Sequence, residues 1–155
     1  MEGLLLSVHV LAAIVFVGGS AVATSLFPRY APVAVGVPDT ASADGAGERS
    51  RSVAVALHRI SRGYAVAGVV VPVAGIVLAA VQGRMGEIWI NISMVLTIAA
   101  GGLLALQIIP RQREALAEPG PGDRLRRLGM FAGIYNLLWA IVVVLMIVRP
   151  GSDYS

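Results

Sequence analysis

The sequence predicts an all-α membrane protein, an up-down bundle of four transmembrane helices. Composition gives the first reason. Of 155 residues, 57% are hydrophobic and only 14% charged, with a mean hydropathy of +0.80; a water-soluble domain of this size carries about 25% charged residues. Length gives the second. The apolar runs Leu4–Phe27, Gly63–Val81, Ile88–Ile109 and Leu128–Val148 each have the roughly 20 residues that cross a hydrocarbon core of about 30 Å as a helix. The third reason is pattern. Only helices and closed barrels satisfy their backbone groups in lipid, and these runs lack the alternation of barrel strands. With their flanking residues the helices are expected at about 4–27, 58–82, 88–109 and 124–148. They form one integral membrane domain over 1–155, with a flexible cytoplasmic loop at about 31–52.

The first run has the length of a signal-peptide core, and Ala21-x-Ala23 offers a cleavage pattern. Its leading residues carry Glu2 and no basic side chain, and the apolar run continues to Phe27 before "PRY". A retained first helix is the expectation. The loop after it, "VGVPDTASADGAGERSRS", is rich in Gly, Ala, Ser and Asp and reads as a solvated linker. Pro72 within the second helix lacks a backbone N–H and should kink it. The short "QGRMGE" stretch makes helices two and three a tight hairpin. "RQREALAEPGPGDRLRR" sets a Pro-Gly-Pro-Gly turn between charged ends of helices three and four.

Orientation follows from arginine. All 12 basic residues are Arg. Arg29, Arg49, Arg51, Arg59 and Arg62 flank the first loop, and Arg111, Arg113, Arg124, Arg126 and Arg127 flank the third. Arg84 alone lies in the second, and Arg149 alone in the tail. Basic residues stay on the cytoplasmic side. The expectation is a multi-pass protein of a bacterial inner (plasma) membrane with both termini extracytoplasmic. A net charge of +3 spread beside membrane segments points to the lipid bilayer as partner and not to nucleic acid.

Small and polar residues mark helix contacts in lipid, where apolar packing has no hydrophobic drive. On helix one His9, Ala13, Phe16 and Ser20 share a face, with Gly19 and Ala23 beside it. Helix two offers Gly68, Pro72, Gly75 and Ala79. Helix three offers Ser93, Thr97, Gly101 and Ala105, and helix four Gly129, Gly133, Asn136 and Ala140. The two halves also rhyme. A glycine pair precedes Pro28-Arg29 and another precedes Pro110-Arg111, while "RISRGYAVAG" and "RLRRLGMFAG" open the second and fourth helices. This suggests a duplicated helical hairpin, in which Asn91 or Ile92 stands where His9 stands.

The chemistry-bearing residues are few. There is no cysteine, so disulfides, thiolate zinc sites and iron–sulfur clusters are excluded. No nucleophile–base pair, phosphate loop or carboxylate pair is visible, and no Asp, Glu or Arg lies at mid-membrane depth, where a proton-coupled transporter usually needs one. His9 lies about five residues inside helix one, roughly 7–8 Å deep. His58 precedes helix two on the cytoplasmic side, about 25–30 Å away, so the two cannot hold one haem. His9 is then either a hydrogen-bonding group, with Asn91 at similar depth as its neighbour, or an axial haem or metal ligand. Met85 and Met94 lie at the same outer level, and thioether with imidazole suits Cu(I). Trp89 and Trp139 read as interfacial or packing aromatics.

With those residues laid out, "LLLSVHVLAAIVFVGG" resembles the first helix of a bacterial family of four-helix integral membrane proteins of unknown function, related to the copper-resistance-D (CopD) proteins. The family shows a histidine, an aromatic residue seven positions on and a glycine pair, matched by His9, Phe16, Gly18 and Gly19. Trp is commoner than Phe at the aromatic position. The ending "LMIVRPG" is similar to the family's closing motif. The resemblance implies a bundle and a metal or haem at His9. The more distant HemJ-type protoporphyrinogen oxidases share the histidine but also use a lysine, and this chain has none.

Together these readings lead to a small inner-membrane protein without autonomous catalysis, an accessory or assembly partner of other membrane subunits. The alternative is a haem- or copper-binding protein using His9. A weaker alternative is a small-molecule transporter.

Overall fold

The computed structural model describes residues 2–34 and 50–151, and every regular element in that range is helical. The elements are α1 (Glu2–Tyr30), α2 (Arg51–Ala67), α3 (Val70–Val81), α4 (Ile88–Leu103), a π-helical turn (Leu104–Ile108), α5 (Ile109–Ala117) and α6 (Gly122–Val148). The expected loop at 31–52 lies largely outside the described residues. Three stretches, His9–Tyr30, Ile88–Ala117 and Gly122–Val148, are long and apolar enough to cross a membrane.

The expected second span is not one helix. It starts at Arg51, earlier than the sequence pattern placed it, with the Ser50 hydroxyl accepting a hydrogen bond from the Val53 amide as N-cap. It then breaks at Gly68 and Val69. The kink expected at Pro72 thus falls one turn earlier. A helical proline removes the hydrogen bond to residue i−4 and drives its ring at that residue's carbonyl. For Pro72 that residue is Gly68, where the chain opens.

The third span meets the same problem and solves it differently. Pro110 would clash with the carbonyl of Leu106, the centre of the π-helical turn. Widening the turn relieves the clash, and the rod runs on through α5 instead of ending near residue 109. Pro28, in the last turn of α1, leaves that helix intact to Tyr30.

Packing follows a ring. α1 lies along both α2 and α6, α4 lies along α6, and α5 closes against α2. On α6 the buried residues are Gly122, Leu125, Leu128, Ala132, Tyr135, Trp139 and Val142. Their three-and-four spacing is the seam of left-handed helix packing. The glycine stripe expected on this helix is not the inward face: Gly133 and Ala140 are exposed and Gly129 and Asn136 half-buried. On α4 Ser93 and Thr97 point inward as expected, but the buried line then passes through Ala100 and Leu104, leaving Gly101 and Ala105 exposed. Strict fourth positions drift about 40° per step around a helix of 3.6 residues per turn, so a stripe drawn that way leaves the core after two steps. α1 keeps the expected face. Ser20 and Ala23 are buried, and His9, Ala13, Phe16 and Gly19 are half-buried.

The core is densest toward the arginine-rich end, where Phe27, Ala31, Ala54, Leu57, Ile108, Leu125 and Leu128 meet. Two hydrogen bonds to main-chain carbonyls close that end. The Ala34 amide donates to the Gly120 carbonyl (3.2 Å), and the Arg51 guanidinium donates to the Leu116 carbonyl (3.2 Å). The opposite half is looser. None of residues 9–19 of α1 is buried, and Leu11, Ile14 and Val15 are each more than 60% exposed.

Candidate functional site

Polar side chains inside an apolar bundle must find partners or cost free energy, and here they fall into separate groups. The first joins α2 to α5. His58, Ser61 and Gln112 are all buried. His58 Nδ1 lies 3.1 Å from Gln112 Oε1, Gln112 Nε2 donates to Ser61 Oγ at 3.4 Å, and the Ser61 hydroxyl donates to the Leu57 carbonyl at 3.0 Å. A carbonyl oxygen can only accept, so His58 donates from Nδ1. The three side chains form a one-directional relay that ends on the main chain. The π-helical turn makes this possible. By adding residues to the turn it lets Leu104, Ile108 and Gln112, each four apart, stay on the inward face.

A second group joins α1 to α6. The Tyr135 hydroxyl donates to Ser20 Oγ at 2.8 Å, and Ser20 in turn donates to the Val17 carbonyl at 3.1 Å. One turn on, Thr24 hydrogen-bonds the Ser20 carbonyl at 2.9 Å. Asn136 Nδ2 donates to Ser25 Oγ at 2.9 Å. Above this group Tyr64 of α2 meets Phe16 edge-on, ring centroids 5.2 Å apart. Its hydroxyl lies so close over Gly19 that any side chain there would collide with it. Of the glycine pair, Gly19 is thus the one that packing requires, while Gly18 faces open space.

His9 stands apart from both groups. Tyr64 marks the level of Phe16 and Gly19. His9 lies seven residues from Phe16 toward one end and His58 six residues from Tyr64 toward the other, a separation of roughly 20 Å along the bundle at 1.5 Å per residue. Among the described residues His9 has no hydrogen-bond partner. Asn91 is exposed and turns its amide to main-chain carbonyls beside it, Met85 at 3.5 Å and Glu87 at 3.4 Å. No hydrogen bond joins it to His9 among the described residues. Met85 is exposed in the turn before α4, and Met94 is half-buried on α4. No group of three or more His, Asp or Glu gathers among the described residues.

The tryptophans divide. Trp139 is buried and packs edge-on against Tyr135, centroids 6.3 Å apart. Its indole nitrogen and the Ser93 hydroxyl are buried without a partner among the described residues. Trp89 donates to Glu87, which also pairs with Arg84 at 2.7 Å. Arg149 lies over the Trp89 ring at 5.8 Å, a cation–π contact that ties the end of α6 to the start of α4.

Compared with known proteins, the chain matches no family model, no curated protein and no solved structure. Its reading therefore rests on these side chains. They supply a structural relay at His58, a hydroxyl seam at Tyr135, and an imidazole at His9 that no other described residue hydrogen-bonds.

Proposed function

We propose that this chain is a four-span protein of a bacterial inner membrane and serves as an accessory or assembly subunit of a membrane complex, with no reaction of its own. The α2–α3 pair supplies the fourth crossing, broken near its middle by the Pro72–Gly68 clash. The arginine-rich ends face the cytoplasm, and both termini face outward.

The observation that carries the accessory role is His9. An imidazole at lipid depth needs a polar partner, and no hydrogen bond reaches His9 among the described residues. It sits on the half of α1, residues 9–19, where no residue is fully buried. A helix from another subunit would both cover that half and supply the neighbour. The well-bonded inner half makes the chain self-supporting, so the looser outer half is the part open to exchange of partners.

The same observation supports a second reading, in line with the resemblance to the CopD-related family: His9 as ligand to haem or copper, the remaining ligands coming from Met85, Met94 or another chain.

One experiment separates the two. The chain is extracted at native expression level in polymer discs that retain native lipid, as parent and as His9→Leu. The accessory role predicts a second polypeptide at fixed ratio to the chain, released in His9→Leu. A lone chain, or a copurified set that His9→Leu does not change, overturns it. The absorption spectrum with and without dithionite, and the copper and iron content, are read on the same samples. A Soret band or stoichiometric metal lost in His9→Leu would establish the ligand reading instead.

A further inference from the structure

The arginine-rich end holds a feature that neither reading uses. An open pocket of about 300 Å³ lies between α5 and the first turns of α6. Arg111, Arg124 and Arg127 line it, with Glu114 as the one carboxylate and Leu125 and Leu128 among its apolar wall. Three guanidinium groups against one carboxylate leave two positive charges without compensation. None of the three arginines is ion-paired among the described residues. The pairs formed there use other residues, Arg84 with Glu87 and Arg126 with Asp123.

The arginines are not equivalent. Arg111 is held in place. It donates to the Gln107 carbonyl at 3.2 Å and to the Gln107 side chain, and it lies over the Phe131 ring at 4.6 Å. Arg124 and Arg127 are exposed and can swing onto a ligand. Gly120 lets Arg124 lie close to the α5–α6 turn, since a methyl group there would stand 3.1 Å from Arg124 Cδ. The first turn of α6 adds its positive end: Pro121 at its N-cap offers no side-chain acceptor, and Asp123 in that turn is engaged by Arg126.

Planar guanidinium forks recognise tetrahedral oxyanions by paired, charge-assisted hydrogen bonds. The buried leucines beside them would lie against glycerol or acyl carbon. The level fits too. Arg111 comes two residues after Ile109, where the apolar stretch ends, and Arg127 directly precedes Leu128, so the pocket straddles the junction of the apolar span and water. Basic pockets at that level between helices bind anionic headgroups.

We propose that the Arg111–Arg124–Arg127 pocket is a phosphate-binding site, filled from the inner leaflet by the headgroup phosphate of an anionic phospholipid. The lipid source rests on the membrane-spanning reading above; recognition of phosphate does not, and neither depends on the accessory role of His9.

The test uses the full chain, stripped of lipid in mild detergent, and native mass spectrometry. Phosphatidylglycerol, phosphatidylcholine and inorganic phosphate are titrated separately. Phosphatidylglycerol should be retained in preference to phosphatidylcholine. Each arginine contributes about fivefold to such binding, so R124Q/R127Q should weaken it on the order of 25-fold. R126Q removes the same charge from the same helix but from outside the pocket, and should change binding less than twofold. Glu114→Gln, which removes the carboxylate from the pocket lining, should tighten it about fivefold. Saturation by inorganic phosphate, with the same response to the variants, would support the phosphate site and assign it a free-phosphate source. Equal retention of the two lipids with no phosphate bound would overturn the site, and so would an R126Q loss as large as that of R124Q/R127Q.

Discussion

A histidine ring placed inside a helical bundle keeps its N–H only if an acceptor meets it. His58 meets Gln112, and Gln112 spends its own amide on Ser61. Leaving a buried donor unpaired costs about 1–3 kcal/mol, whereas replacing both partners by apolar groups can be nearly neutral. Gln112→Leu should therefore lower the thermal unfolding midpoint in detergent by several degrees, at roughly 2–4 °C per kcal/mol. The double variant His58→Leu/Gln112→Leu should recover most of that loss. A Gln112→Leu midpoint equal to the parent's would show that the relay does not hold α2 to α5. Little of this was legible in the sequence. Gln112 stands between Arg111 and Arg113 in a stretch that reads as a solvated helix end, and His58 stands one residue before Arg59. Only the contact of two elements more than fifty residues apart buries both. His9 was legible as the one ionisable side chain in the run Leu4–Phe27.

At the scale of the element, proline decides where the long rods bend, and it acts four residues upstream. Pro72 opens the chain at Gly68, and Pro110 widens the turn around Leu106. The disturbance at Pro72 was visible in the sequence; its place was not, because a ring–carbonyl clash lies one turn before the residue that causes it. Pro72→Ala restores the missing donor and removes the clash, which in a helix interior is worth about 3 kcal/mol. The amides from 68 to 72 should then exchange with deuterium at least tenfold more slowly, as α2 and α3 join into one helix. Unchanged exchange there would assign the break to Gly68 and Val69 themselves. The inward faces show a similar split. The face on α1 was readable from spacing, whereas the faces on α4 and α6 follow a three-and-four alternation that fixed fourth positions miss.

For the molecule as a whole, the two ends differ in kind. One carries, among the described residues, the arginines of α2, α5 and the start of α6, the hydrogen bonds to the Gly120 and Leu116 carbonyls, the buried relay and the proposed phosphate pocket. The other carries Arg84 and Arg149 around Trp89 and the loose half of α1. If the arginine-rich end faces the cytoplasm, a reporter active only outside the cytoplasm should be silent at residues 45 and 119 and active at residue 84 and at the C-terminus. Activity at 45 would reverse the orientation.

Composition and run length, by themselves, determined that this chain is helical and that it carries segments apolar enough to cross a membrane. Those properties depend only on transfer of side chains and backbone into an apolar medium, which is a sum over local sequence. Which polar atoms meet depended on the tertiary structure: His58 on Gln112, Tyr135 on Ser20, three arginines around one pocket. In lipid the helices gain nothing from apolar contact alone. Their register is set by close approach and by a few hydrogen bonds between distant residues, and no local pattern encodes those.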